Sequence, residues 1–261
     1  MARKIVITSG KGGVGKTTIC ANLGMRLSSL GNRVCMLDTD IGLNNLDVVM
    51  NVENRVVYDL ADVVEGRCRI KQALIQDLRY PTLFVLPSSH LFTDTKITSY
   101  SIKAVVEQLA ETFDYILIDC PAGIDSGFHR AVYAANEAII ITTPNLSSIR
   151  DASKVLTILG SYNLDSVGFI ANRVRGDLTM RGKMLSTGQM CSLLNCDLYG
   201  IVPDDDSVGM LSCTNPFKTV GGDAFKILAE NIHFGKNRLY DYTAKYRGFL
   251  GGIKRSLRKH I

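Results

Sequence analysis

Residues 10–17 have the residue types and the spacing of a phosphate-binding loop. They match the pattern GxxxxGK[ST], and they lie between a strand-like apolar segment and a helical pattern. Glycines let the backbone curl until several N–H groups point at one anion, and the start of a helix adds the positive end of its dipole. Lys16 then suits the β- and γ-phosphates, and the Thr17 hydroxyl suits Mg²⁺. The sequence therefore predicts a site for a nucleoside triphosphate.

Three aspartates directly follow apolar segments that are predicted to be strands. Asp119 follows Tyr115–Ile118, and Asp38 and Asp40 follow Val34–Leu37. One aspartate at a strand end is usually a turn or cap residue, but three beside a phosphate loop favour a catalytic role. Parallel strands bring their carboxyl ends to one edge of a sheet. We therefore predict that Asp119 holds Mg²⁺ through water, and that Asp40, with Asp38, positions the attacking water.

The cysteines and histidines give no comparable signal. There are seven cysteines without a CxxC pair and four scattered histidines, so we expect reduced thiols and no transition metal. The chain is 46% hydrophobic and has no apolar run long enough to span a membrane, which excludes disordered, fibrous and membrane-spanning classes. Its first residues lead straight into a strand-like segment, so no signal peptide is expected.

The pattern of apolar segments predicts the elements that position these residues. Continuous β-branched runs alternate with helical patterns, which is typical of a parallel sheet covered by helices. The predicted fold is α/β, a single P-loop NTPase domain over residues 1–240 with a mainly parallel sheet and helices on both faces. The predicted strands are Lys4–Thr8, Arg33–Asp38, Leu83–Leu86, Tyr115–Asp119, Glu137–Thr142, Ser166–Ala171 and Leu198–Val202, and the predicted helices are Thr17–Leu30, Ile102–Phe113, Ser147–Leu159 and Asp223–Phe234.

Residues 241–261 are predicted to be a basic amphipathic tail. Six lysines and arginines and no acidic residue lie between Lys245 and Ile261, so the rest of the chain carries a net charge of −1 out of a total of +5. Apolar residues at near-helical spacing with basic neighbours are typical of a helix that binds a membrane surface. Three glycines, at positions 248, 251 and 252, weaken that helix. The predicted membrane residues are Phe249, Leu250, Ile253, Leu257, Lys254, Arg255, Arg258 and Lys259.

The energies of such a tail indicate a switch. Each basic residue near an anionic surface contributes about 1 kcal/mol, whereas ordering the tail costs roughly 1 kcal/mol or more per residue. One tail should therefore bind marginally, and two tails on one dimer should bind together because the second binds at high effective concentration. We predict that nucleotide-dependent dimerisation drives membrane attachment.

The loop also contains a second lysine, Lys11, and the segment Lys11–Thr18 resembles the deviant Walker A motif of the MinD/ParA family of ATPases. The resemblance extends over most of the chain, and its MinD branch is favoured by residues 38–47, 56–59, 119–124, 147–151 and 202–208. It implies ATP and Mg²⁺ as cofactors and a homodimer in which Lys11 reaches the phosphates of the partner. The catalytic candidates are thus Lys11, Lys16, Asp38 and Asp40, and the phosphate-binding candidates are Gly10, Lys11, Gly12, Gly13, Val14, Gly15, Lys16, Thr17 and Thr18.

The resemblance also implies roles outside the loop. Asn172 and the Pro203–Asp204 turn would frame the adenine, and Asn45 and Asp151 would lie near the subunit interface. The family implies an ATPase that selects the division site at the cytoplasmic face of the inner membrane, or in a plastid stroma. Its partners would be a MinC-like inhibitor and a MinE-like activator, with no nucleic acid.

Three other functions remain open for the same residues. A ParA-type DNA-partition ATPase should carry a basic folded surface, which the near-neutral body does not favour. A reductase resembling the nitrogenase iron protein would need cysteines that bridge a cluster across the dimer. A flagellar-number regulator of the same family is poorly separated by sequence.

Overall fold

Eight strands form one sheet in the part of the chain that the structure, a computed structural model, describes: residues 1–42, 45–89, 97–204 and 220–247. The strand order is β3-β4-β2-β5-β1-β6-β7-β8, and every neighbouring pair is parallel except β3 and β4. This confirms the predicted mainly parallel α/β fold. The strands are β1 Arg3–Thr8, β2 Val34–Asp38, β3 Ile75–Gln76, β4 Leu83–Leu86, β5 Tyr115–Asp119, β6 Glu137–Thr142, β7 Ser166–Val174 and β8 Asp197–Pro203.

The central strands form where the sequence is continuously apolar. Strands β2 and β5 are buried at every residue because helices cover both faces of the sheet. All seven predicted strands are present, and their ends agree within three residues. The antiparallel strand β3 has only two residues, which is too short to leave a periodic pattern in the sequence.

In the described ranges the α-helices are the four that were predicted, again within three residues at each end, and six shorter ones that were not. The capping box of Asp59 and Asp62 explains how a five-residue helix such as α3 begins. The helices are α1 Lys16–Ser29, α2 Leu46–Met50, α3 Leu60–Val64, α4 Ile70–Ala73, α5 Ser99–Ala110, α6 Ser126–Tyr133, α7 Leu146–Leu159, α8 Gly176–Thr179, α9 Thr187–Leu194 and α10 Val220–Phe234.

Two apolar cores lie on opposite faces of the sheet. Helices α1 and α10 cover one face, where Leu23 and Phe225 are fully or almost fully buried. Helices α5, α6, α7 and α9 cover the other face, around Phe128 and Phe169. None of the helices in the described ranges has the length and apolar character needed to cross a membrane.

Residues 235–247, which we call the C-terminal strap, lead from α10 to the opposite face of the sheet. The Asn231 side chain donates to the carbonyls of Tyr199 in β8 and Arg238 in the strap, at 3.1 and 2.6 Å. Tyr242 then packs against the core of the α7 face, and Tyr246 is 3% exposed. Both tyrosines fall within the segment assigned to the tail from sequence, yet they pack on the domain. The eight predicted membrane residues, from Phe249 to Lys259, lie outside the described residues.

Candidate nucleotide-binding site

The phosphate loop joins β1 to α1 at the carboxyl edge of the sheet. Gly13 and Gly15 have φ angles of 75° and 95°, in the left-handed region that favours glycine. A Cβ at Gly15 would also lie 2.5 Å from the Asn172 amide nitrogen, so a side chain is excluded there by contact as well. The sequence pattern thus reflects both the backbone conformation and the packing of this loop.

Neighbouring elements hold the loop in place. The Ser9 hydroxyl donates to the Lys11 carbonyl at 2.8 Å, and the Asn172 amide donates to the Val14 carbonyl at 2.7 Å. Gly10 lies directly against the main chain of Asp151 in α7, where any Cβ would collide with the Asp151 carbonyl. The loop is therefore fixed by the adjacent Ser9 and by two elements that are distant in sequence, β7 and α7, which is the preorganisation that an anion site requires.

The two loop lysines differ in exposure. Lys16 is 9% exposed and lies at the start of α1, whereas Lys11 is exposed. A buried cation at a helix start suits a phosphate bound in the same subunit. The exposed Lys11 is available to a group outside its own subunit, and the predicted contact with the phosphates of a partner subunit requires such exposure.

Asp119 lies at the end of β5, between β1 and β2, and is paired in register with Ile7 and Asp38. It is 2% exposed, and its Oδ1 has no hydrogen-bond partner among the residues that the structure describes. Burial raises the pKa of Asp119 from 3.8 to about 6, although a hydrogen bond with Thr17 and the charge of Lys16 lower it. Thr17 and Lys16 therefore compensate the buried charge of this carboxylate only in part.

Thr17 and Asp119 have the oxygen ligands that suit a Mg²⁺ site. The cation takes oxygen ligands and keeps several waters, so one carboxylate and one hydroxyl are sufficient when phosphates supply the remaining contacts. Thr17 and Asp119 form such a pair, and the unpartnered Oδ1 would accept from a metal-bound water. In the described ranges no group of three or more His, Cys, Asp or Glu side chains is arranged to bind a metal by itself.

Asp38 and Asp40 differ in their surroundings. Asp38 is 1% exposed, and its two carboxylate oxygens accept the backbone N–H groups of Asp40 and Leu46 at 2.8 and 3.2 Å. Burial, and then the charge of Asp119, raises its pKa. Asp40 is half-buried, and its pKa is raised by burial and lowered by Lys16. Asp38 thus anchors the turn after β2, and Asp40 is the better placed of the two to contact a water.

The predicted adenine residues lie together on the far side of the loop. Asn172 is near the end of β7 and Pro203 ends β8, while the N–H of Asp204 donates to the Val174 carbonyl at 3.1 Å. Between Asn172 and Val174, Arg173 is exposed and has a φ of 55°. The β7–β8 register shifts at this point. A left-handed backbone conformation costs a residue other than glycine about 1–3 kcal/mol, and such strain is concentrated at functional sites.

Other predicted residues have simple surroundings. Asn45 is exposed and immediately precedes α2, and the Asp151 side chain forms an ion pair with Lys154 at 3.3 Å. Three residues near the site were not predicted: Ser9, Thr39 and Arg173. The Thr39 hydroxyl donates to the Asp119 carbonyl at 2.7 Å, and this contact depends on which strands become neighbours, so no spacing in the sequence signals it.

Comparisons with known proteins agree with this geometry. A family model described as an AAA domain matches residues 2–165. The septum site-determining protein MinD of Bacillus subtilis is 49% identical over 210 residues, which are 80% of this chain and 78% of that protein. In a MinC:MinD cell division protein complex of Aquifex aeolicus, one solved chain is 37% identical with a TM-score of 0.85, covering 92% of this chain and 99% of that one.

A third comparison concerns a protein solved with a bound nucleotide. The septum site-determining protein MinD of Pyrococcus horikoshii, complexed with Mg-ADP, is 30% identical with a TM-score of 0.80, covering 89% of this chain and 96% of that one. The residues that the family model matches include the phosphate loop and the aspartates at the ends of β2 and β5. This chain belongs to the MinD family of septum site-determining ATPases.

Proposed function

We propose that this ATPase binds Mg-ATP as a homodimer, attaches to an anionic membrane through its C-terminal tail and is released by hydrolysis. The observation that carries the proposal is the cluster of Lys16, Thr17, Asp40 and Asp119 around a preformed phosphate loop. The unpartnered Asp119 oxygen supports a bound Mg²⁺, and the exposed Lys11 supports a partner subunit.

Each residue of the cluster has one role in hydrolysis. The loop N–H groups and Lys16 hold the phosphates. Thr17 and Asp119 would hold the Mg²⁺, Asp119 through water, and the metal would supply neutralisation of the charge that develops on the phosphate oxygens. Asp40 orients the attacking water toward the γ-phosphate, and Asp38 fixes the turn that carries Asp40. The Lys11 ammonium of the partner subunit adds positive charge at the phosphates only while ATP is bound.

The surface around the loop supports a dimer. Val57 and Ile124 are 77% and 41% exposed and lie in connections that follow β2 and β5, and Leu146, which is 69% exposed, begins α7 after β6. Large apolar side chains grouped near one site are typical of a surface that a partner covers. Asn45 and Asp151 belong to the same edge and are proposed to lie at the subunit interface.

The tail is proposed to contact the membrane, and the proposed protein partners are those implied by membership of the family. The residues from Phe249 to Lys259 combine apolar and basic side chains, which suits an anionic lipid surface. We place the start of the tail after Arg247, because Tyr246 packs on the domain. A MinC-like inhibitor would bind the ATP dimer, and a MinE-like activator would stimulate hydrolysis. The protein would therefore be peripheral to the inner membrane or to its plastid counterpart.

Co-sedimentation with vesicles of phosphatidylglycerol and phosphatidylcholine tests the proposal. The full chain is expected to bind with ATP and Mg²⁺ and to remain in solution with ADP. A chain that ends at Arg247 should fail to bind with either nucleotide while it still hydrolyses ATP. Lys11→Ala should reduce binding with ATP to the level seen with ADP, and Lys71→Ala, which removes an exposed lysine elsewhere, should bind as the full chain does.

Two outcomes would contradict the proposal. Equal binding with ATP and ADP would make the tail a constitutive anchor. Salt-sensitive DNA binding by the chain that ends at Arg247, without vesicle binding by the full chain, would favour DNA partition instead.

A further inference from the structure

We propose that Tyr246 is a positioning residue for the adenine side of the nucleotide site, so that the C-terminal strap takes part in ATP binding. This inference rests on the proposed ATP site and adds to it a residue that precedes the tail. Three observations support it: Tyr246 is buried, the strap contacts Gly176, and the pairing of β7 with β8 shifts register just before that contact.

The strap packs directly on the backbone of Gly176, the first residue of α8. A Cβ at Gly176 would collide with the Tyr242 carbonyl and would lie 2.9 Å from Cδ2 of Tyr246. Gly176 is itself buried and has no positive φ, so close approach of the strap explains the glycine there. Tyr246 is 3% exposed although the chain ahead of it, at Ala244 and Lys245, is exposed.

The turn beneath Tyr246 is connected to the adenine side of the site. Arg175 forms hydrogen bonds with the buried Asp177 at 2.9 and 3.3 Å. The pKa of Arg175 is raised, first by that pairing and further by the nearby carboxylate of Asp204. The residue just before it, Val174, accepts the N–H of Asp204 at 3.1 Å. Tyr246 therefore supports the turn against which Pro203–Asp204 is held.

The phosphate loop is supported independently of the strap. Asn172, which holds the Val14 carbonyl, follows Ala171, and Ala171 is still paired in register with Thr142 of β6. The regular ladder with β8 shifts between Ala171 and Val174, so the strap supports the part of β7 that follows this shift. Loss of Tyr246 should loosen the adenine side and leave the phosphate side in place.

Isothermal titration calorimetry with two ligands tests this asymmetry. ATP contacts both sides of the site, whereas inorganic tripolyphosphate contacts only the phosphate loop, and each is titrated with Mg²⁺. In Tyr246→Ala the Kd for ATP is expected to rise about five- to ten-fold, at the lower end of typical couplings between sites, with the Kd for tripolyphosphate unchanged within about two-fold. Gly176→Ala, which displaces the strap from the other side of the same contact, should give the same ratio.

The controls separate this inference from the proposed function. Leu239→Ala alters an exposed strap residue, 47% exposed, and should bind both ligands as the parent chain does. Equal weakening of ATP and tripolyphosphate in Tyr246→Ala, or unchanged binding of both, would overturn the positioning role and leave the proposed function intact. Failure of the parent chain to bind ATP would overturn the proposed function itself.

Discussion

Asp119→Asn should remove ATPase activity. In the absence of nucleotide, the variant should gain stability relative to the parent chain as the pH rises. Asp119 is buried with one unpartnered oxygen, and burial raises its pKa from 3.8 to about 6. A carboxyl group with a raised pKa in the folded state stabilises the fold fully below its unfolded pKa. That stabilisation is lost as the pH rises through the folded pKa, because the unfolded chain then ionises more easily.

The magnitude follows from the two pKa values. Each unit of difference corresponds to about 1.4 kcal/mol, so the whole titration changes the free energy of unfolding by on the order of 3 kcal/mol. About half of that change falls between pH 5 and pH 8, where many proteins stay folded. The pKa of Asp38 is also raised, by burial and then by the charge of Asp119, so ionisation of Asp38 likewise lowers the free energy of unfolding as the pH rises.

Urea unfolding at pH 5, 6, 7 and 8 without nucleotide measures the effect. The free energy of unfolding of Asp119→Asn, minus that of the parent chain, should increase by about 1–2 kcal/mol from pH 5 to pH 8. Asp165→Asn, which neutralises an exposed carboxylate, should give a difference that stays level across the same range. Mg-ATP should reduce the advantage of the asparagine variant, because the ligand stabilises only the protein that binds it.

A difference for Asp119→Asn that stays level or shrinks between pH 5 and pH 8 would refute this reasoning. It would mean that the carboxylate is compensated inside the nucleotide-free protein. The argument that Asp119 awaits a metal-bound water would then fail as well.

Three further predictions concern the loop and its supports. Gly10→Ala places a methyl group against the Asp151 carbonyl, which cannot move aside, and should cost about 1–3 kcal/mol in urea unfolding together with most of the ATPase activity. Asn172→Ala removes the bond to the Val14 carbonyl and should weaken binding of both ATP and tripolyphosphate, by about two- to ten-fold in calorimetry. Asp59→Ala removes the capping box of α3 and should cost about 1 kcal/mol in urea unfolding with the ATPase rate unchanged.

The sequence predicts the sheet well because its signal is local. Strands β2, β5 and β6 are short runs of apolar residues that are buried along almost their whole length, so composition alone marks them. The phosphate loop is equally local, since its glycines, its lysine and its threonine are adjacent. Short helices such as α4 and α8 have too few residues for a periodic pattern, and their existence depends on tertiary contacts.

The sequence does not distinguish the roles of the aspartates. Asp38 and Asp40 are two residues apart and look equivalent in the sequence. Only the fold shows that Asp38 accepts two backbone N–H groups and that Asp119 keeps an unpartnered oxygen. Such differences arise from strand register, which pairs Asp38 with Asp119 across a separation of about eighty residues.

The C-terminal strap shows that composition alone does not signal which residues after α10 pack on the domain. Tyr246 lies between Lys245 and Arg247, as a residue of a basic amphipathic tail would, yet it is buried and packs against Gly176, a residue that is distant in sequence. The strap is also tied to the domain through Asn231 of α10, whose side chain donates to the carbonyls of Tyr199 in the edge strand β8 and of Arg238 in the strap. A segment that packs on Gly176 and is held by Asn231 cannot be removed together with the tail without changing the domain. Experiments that separate membrane binding from ATP binding must therefore cut the chain after Arg247.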